Sequence, residues 1–139
     1  MSAVTSVMRV HQILMARLND LLRPFGLTFP RYEALMLLLY SRSGALPLGK
    51  MGDRLQVHRA SVTNVVDRLA EQGLVERVPQ ESDRRSVLAR ITPEGRTVAE
   101  AATLELNRRR FGMDALADGR CDELVELLGS LRQAAGDFD

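Results

Sequence analysis

Residues 58–96 read HRASVTNVVDRLAEQGLVERVPQESDRRSVLARITPEGR, and the order of elements inside this run decides the fold. Val62, Val65, Val66 and Leu69 recur at helical spacing, so 58–72 is predicted as a helix with those side chains inward. Gly73 closes it as a C-cap, because glycine takes the left-handed conformation without a Cβ penalty. Two β-prone runs follow, Leu74–Val78 and Val87–Thr92, separated by the eight residues PQESDRRS. They predict a hairpin with a long, exposed polar tip. Thr92-Pro93 then starts another helix, threonine as cap and proline in the first turn, expected to run to about Met113.

Working outward, Leu48, Met51 and Leu55 mark a short amphipathic helix, joined to 58–72 by the brief turn Gln56-Val57-His58. Near the N-terminus Val4, Val7, His11, Leu14, Leu18, Leu21 and Phe25 alternate steps of three and four, the seam of a long helix that Met8, Met15 and Leu22 widen. Pro24 and Gly26 end it. Thr28 and Pro30 start a second helix that Ser43-Gly44 stops. After Asp118-Gly119 a last helix sets Leu124, Leu127, Leu128 and Leu131 on one face. The fold class that follows is mostly α with a small antiparallel β hairpin, in the order of a winged helix-turn-helix. The expected organisation is one domain over 1–139, with a winged helix-turn-helix over about 28–95. The segments 1–27 and 96–139 carry more apolar surface than one small winged domain can cover, and are expected to be dimerisation helices.

With its valines inward, the helix at 58–72 offers Arg59, Ser61, Thr63, Asn64 and Arg68 on the opposite face. Asn can read adenine with two hydrogen bonds, Arg can read guanine, and Thr can touch a thymine methyl. A solvated amphipathic helix would look the same, so the hairpin decides between the readings. Asp83-Arg84-Arg85 places two guanidinium groups on a tip that needs none to fold, and an arginine there suits a narrow minor groove. Asp83 is expected to orient a neighbouring arginine by an ion pair.

Bulk properties narrow the class. The hydrophobic fraction of 45% and charged fraction of 27% exclude disorder. No apolar stretch approaches the roughly 20 residues of a membrane span, and the N-terminus lacks a signal-peptide pattern. One cysteine, Cys121, cannot close an internal disulfide, which fits a cytoplasmic setting. Net charge is only +1, but between Lys50 and Arg90 eight basic residues face six acidic ones, a sign that suits a polyanion partner. His11, His58 and Cys121 have no metal-ligand spacing, and neither a metal nor a cofactor is expected. P-loop, GxGxxG and nucleophile-elbow motifs are missing, which argues against an enzyme. A winged-fold adaptor that binds protein is the other class considered; the wing arginines and the short polar face argue against it.

The run from Val62 to Gly95 resembles the core of the MarR family of transcription regulators. Val-Thr, Asp-Arg-Leu, Gly-Leu-Val, Asp-Arg-Arg and Ile-Thr-Pro-Glu-Gly stand in family order and spacing. The resemblance implies an obligate homodimer with intertwined first and last helices, reading an inverted-repeat operator on double-stranded DNA. It places helix 58–72 in the major groove and Arg85, or Arg84, in the minor groove. Two positions depart from the pattern: Asn64 stands where arginine is usual, and His58 where a small cap is usual, which leaves the operator's sequence open. Peroxide-sensing members are similar to one another in carrying a reactive cysteine in the first helix. This chain has none there, so Cys121 is read as incidental.

His11 is the one polar side chain on the first-helix seam. It reads either as a hydrogen-bonded histidine at a helix crossing or as part of an effector pocket with Met8 and Met15. The resemblance favours an aromatic or phenolic acid as effector; Tyr32, early in the second helix, is a candidate second polar contact.

Overall fold

A computed structural model describes residues 1–137, the side chain of Arg84 excepted. Its elements are α1 (Ser2–Leu22), α2 (Phe29–Leu39), β1 (Ala45–Pro47), α3 (Leu48–Leu55), α4 (Arg59–Glu71), β2 (Val75–Gln80), β3 (Asp83–Ile91), α5 (Pro93–Arg108) and α6 (Arg120–Ala134). Single 3-10 turns at Arg23–Phe25 and Arg110–Gly112 join α1 to α2 and α5 to α6. No helix among the described residues is long and apolar enough to cross a membrane.

The core lies where α1, α2, α4 and α5 converge on the sheet. Leu22, Leu35, Leu38, Met51, Val62, Val66, Leu69 and Leu106 are fully buried. Ala99 and Ala102, both at 0% exposure, keep the buried face of α5 flat enough for α2 to lie close. Tyr32 is buried at the α2–α5 crossing. Its hydroxyl shares a 2.9 Å hydrogen bond with Thr103 Oγ1, which satisfies a polar atom that burial would otherwise leave unpaired.

Several boundaries depart from the sequence expectation. Thr28 is the N-cap residue of α2, yet its side chain makes no capping bond. The cap is supplied from α1 instead, where Asn19 Oδ1 accepts the Phe29 N–H at 2.8 Å. A third strand, β1, pairs with β3 to give the order β1-β3-β2. Three residues are too few to show a period of two, so β1 exists only by virtue of its partner. The hairpin tip is much shorter than its polar composition suggests: pairing extends to Gln80 opposite Asp83, with an irregularity at Pro79/Gln80. Ladder bonds are made by backbone, so exposed polar residues pair as readily as apolar ones. Pro79 is tolerated because β2 is an edge strand. α5 stops at Arg108, not near Met113, because Arg110, Phe111 and Gly112 all turn to positive φ. That turn brings Phe111 against Tyr32, ring centroids 6.5 Å apart.

The junction between α4, the wing and α5 is the tightest point of the fold. Gly73, at φ +74°, lets Leu74 N–H return to Leu69 O at 3.0 Å and ends α4. Thr92 Oγ1 accepts the Gly95 N–H at 3.0 Å and donates to Gly73 O at 2.8 Å, so one hydroxyl caps α5 and fastens it to the end of α4. A Cβ at Gly95 would lie 2.1 Å from Leu74 O and 2.9 Å from Ile91 Cγ1. Gly95→Ala is therefore expected to cost about 1–3 kcal/mol in urea denaturation, since the backbones must part. Gly49, where an added Cβ meets nothing within 4 Å, is the control: Gly49→Ala should leave stability unchanged or slightly raised.

Candidate nucleic-acid interface

On α4, Val62, Val66 and Leu69 are buried and Val65 is half-buried. Helical geometry then turns Arg59, Ser61, Asn64 and Arg68 outward, and all four are exposed. Thr63 is half-buried, and its hydroxyl donates to Arg59 O at 3.1 Å. The first turn of α4 carries no acidic residue of its own beside its N-terminal N–H groups. His58 sits at the N-cap without a side-chain capping bond, leaving its imidazole exposed beside that turn.

The wing is tied to α4 by Arg77 of β2, which donates to Asp67 Oδ1 at 2.7 Å. A second rung, Arg90 Nη1 to Glu76 Oε1 at 3.5 Å, crosses β3 and β2. At the tip Asp83 Oδ1 accepts the backbone N–H of Arg85 at 2.9 Å. Toward Arg85 the contact of Asp83 is a backbone bond, an aspartate turn of the ordinary local kind, while the ion pair expected with a neighbouring arginine also falls on Arg84, whose side chain is not described. That backbone bond fixes the direction of the chain at Arg85. The side chain of Arg84, the other wing arginine read from sequence, lies outside the described residues. Among the described residues Arg59 and Arg85 have no ion pair, whereas Arg68 meets Glu71 at 3.3 Å.

Of the four residues assigned to an effector site, Met8, His11 and Met15 share α1 while Tyr32 lies on α2. His11 and Met8 are exposed on α1, and Met15 is half-buried further along it. Tyr32 is committed to Thr103 in the core, which corrects its reading as an available polar contact. The Asp67–Arg77 tie was missed from the sequence. Its partners lie ten residues apart on different elements, and only the helix-to-strand geometry brings them together.

A helix-turn-helix packed beside a three-stranded wing, flanked by long helices, defines the class as a winged-helix protein. The MarR family profile matches residues 27–87. YhbI, an uncharacterized HTH-type transcriptional regulator of Bacillus subtilis, is 32% identical over 119 residues, 85% of this chain and 76% of its own length. A MarR family transcriptional regulator from Streptomyces coelicolor superposes with a TM-score of 0.92 at 50% identity, covering 99% of this chain and 96% of that one. A second regulator of the family from that organism, solved in complex with DNA, shares the fold with a TM-score of 0.81 at 23% identity, over 95% and 84% of the two chains. The chain belongs to the MarR family and is a transcriptional regulator rather than an enzyme.

The exposed Asp67–Arg77 pair is expected to orient the wing more than to stabilise the fold. A double-mutant cycle with Asp67→Ala and Arg77→Ala in urea should give a coupling of about 0.2–1 kcal/mol, shrinking as salt is raised.

Proposed function

We propose that a homodimer of this chain binds an inverted-repeat operator and represses adjacent genes. Each subunit lays α4 in the major groove and directs its wing arginine, Arg85 or Arg84, into the flanking minor groove. The observation that carries this reading is the pairing of two features. One is a short-chain polar face on α4 (Ser61, Thr63, Asn64) with Arg59 unpaired. The other is an unpaired Arg85 on a tip that Asp83 directs and the Asp67–Arg77 tie holds to α4. The relative solved with DNA supports the same use of the fold.

Dimerisation is supported by where the apolar surface lies. Val4, Val7, Met8, Val10 and Ile13 are exposed along the first half of α1. On α6 no residue is buried, and Leu127 and Leu131 are 73% and 69% exposed. Apolar rows of this length on two helices find cover in a second copy. A two-fold dimer of winged helices reads half-sites whose centres lie about 10 bp apart.

Repression is released, in this reading, by a small aromatic acid held near His11 with Met8 and Met15. The imidazole supplies the hydrogen bond or charge for a carboxylate, and the methionines adapt to a flat ring. Because His11 stands open in one chain, the partner subunit completes that site. The ligand acts by favouring dimers whose two α4 helices are misspaced for the operator.

The decisive test is a gel-retardation titration on DNA upstream of the gene and its neighbours. Affinity should fall steeply with salt as phosphate contacts are screened. Arg85→Ala should weaken binding by about 1–3 kcal/mol, and Asn64→Ala should relax base preference. A salt-insensitive complex, or full affinity in Arg85→Ala, would sink the assignment. For the effector, salicylate-like acids are titrated against the complex: release should occur in the wild type and be lost in His11→Ala. Equal release by both proteins removes His11 from the site.

A further inference from the structure

The turn that leads into α4 carries apolar side chains that none of the polar contacts above uses. Val57 is 43% exposed, and Ala60, in the first turn of α4, is exposed as well. Both line one groove together with Ser61 and Asn64, so they stand on the side of α4 that the candidate interface uses. A lone exposed valine is ordinary on a protein surface; its neighbours distinguish this one.

The turn is held in place from α3. Gln56 closes that helix in the left-handed conformation, at φ +53°, and its N–H bonds Gly52 O. The Val57 N–H reaches the same oxygen at 3.2 Å. Gly52 is buried, and a Cβ there would stand 3.4 Å from both Val57 O and Val62 Cγ2. The backbone of Val57 is therefore packed against α3, and its β-branched side chain has few rotamers to choose from. Its methyl groups are presented from a fixed place.

Among the groups that DNA shows in the major groove, only the thymine C5-methyl is apolar. Phosphates and polar base edges gain nothing from Val57 or Ala60. The residues at the start of a recognition helix are the ones that meet base edges. We propose that Val57 and Ala60 together seat one thymine methyl in each half-site, next to the base that Asn64 reads. Selectivity at that base pair comes from withdrawing a methyl from water rather than from a hydrogen bond. This seat rests on the assignment of α4 to the major groove made above.

The test measures operator affinity by fluorescence anisotropy. Each thymine in turn is replaced, in both half-sites, by deoxyuridine, which pairs identically and lacks only the methyl. At one symmetric pair of positions the wild type should lose about fourfold per half-site, the value of one methyl group withdrawn from water. In Val57→Ser/Ala60→Ser, thymine and deoxyuridine at those positions should bind equally. Val57→Thr, the milder change, should keep part of the preference. Each ratio compares two duplexes with the same protein, so a general loss of affinity in a variant cancels. Equal binding of thymine and deoxyuridine at every position in the wild type overturns the seat, as does an undiminished ratio in the double variant. Binding that weakens steeply with salt yet ignores every methyl overturns the seat alone, whereas a wild type that binds no operator overturns the DNA reading with it.

Discussion

The contact that the rest of the structure depends on is the approach of Gly95 to the Leu74 carbonyl. A single methyl at that glycine would sit 2.1 Å from a backbone oxygen, so α5 can lie where it does only because the side chain is absent. Thr92 fastens the same place by capping α5 with the oxygen that bonds Gly73. The end of α4, the root of β2, the end of β3 and the start of α5 therefore meet within a few residues. A displacement of α5 carries α4 and the wing with it, because close-packed junctions transmit motion rather than absorb it. α5 is in turn held to α2 through Tyr32 and Thr103, which couples the winged unit to the helix behind it.

Around this junction the chain divides its surface by chemistry. The centre is closed, with no buried side-chain polar atom left unpartnered among the described residues. Uncovered apolar rows are concentrated on α1 and α6, while α4 and the wing expose Arg59 and Arg85. Most ion pairs are exposed, as with Arg23–Asp20 and Arg120–Glu123. Such pairs contribute about 0–1 kcal/mol each, so stability rests on the buried aliphatic centre. A regulator built this way can vary its charged face with little effect on folding, and Asn64 and His58 are exposed on that face.

How much of this could be read in advance follows from where each signal resides. The helices declared themselves because Val62, Val66 and Leu69 on α4, and Leu48 and Met51 on α3, bury one face at helical period. Thr92-Pro93 and Gly73 marked boundaries because local chemistry is enough for a cap. What stayed hidden depends on a partner distant in sequence. Asn19 caps α2 from another helix, β1 is a strand only because β3 lies beside it, and Arg77 finds Asp67 across the helix–wing junction. The length of the hairpin tip is not legible in PQESDRRS, because a backbone ladder asks nothing of its side chains and polar residues pair as readily as apolar ones. On the candidate interface, the outward set Arg59, Ser61, Asn64 and Arg68 follows from the period and is exposed. Tyr32 went astray because an aromatic hydroxyl in a sequence does not reveal that Thr103 already satisfies it.

The central claim is that α4 and the wing engage the two grooves of DNA separately, from one rigid junction. Dimethyl sulfate footprinting tests it most directly, because the reagent methylates guanine N7 in the major groove and adenine N3 in the minor groove. The account predicts two-fold symmetric protection at both atoms in the wild-type complex. In the double variant Arg84→Ala/Arg85→Ala, examined at saturating protein, adenine N3 protection should disappear while guanine N7 protection stays. Adenine N3 protection that persists in the variant, or guanine N7 left open in the wild type, would contradict it.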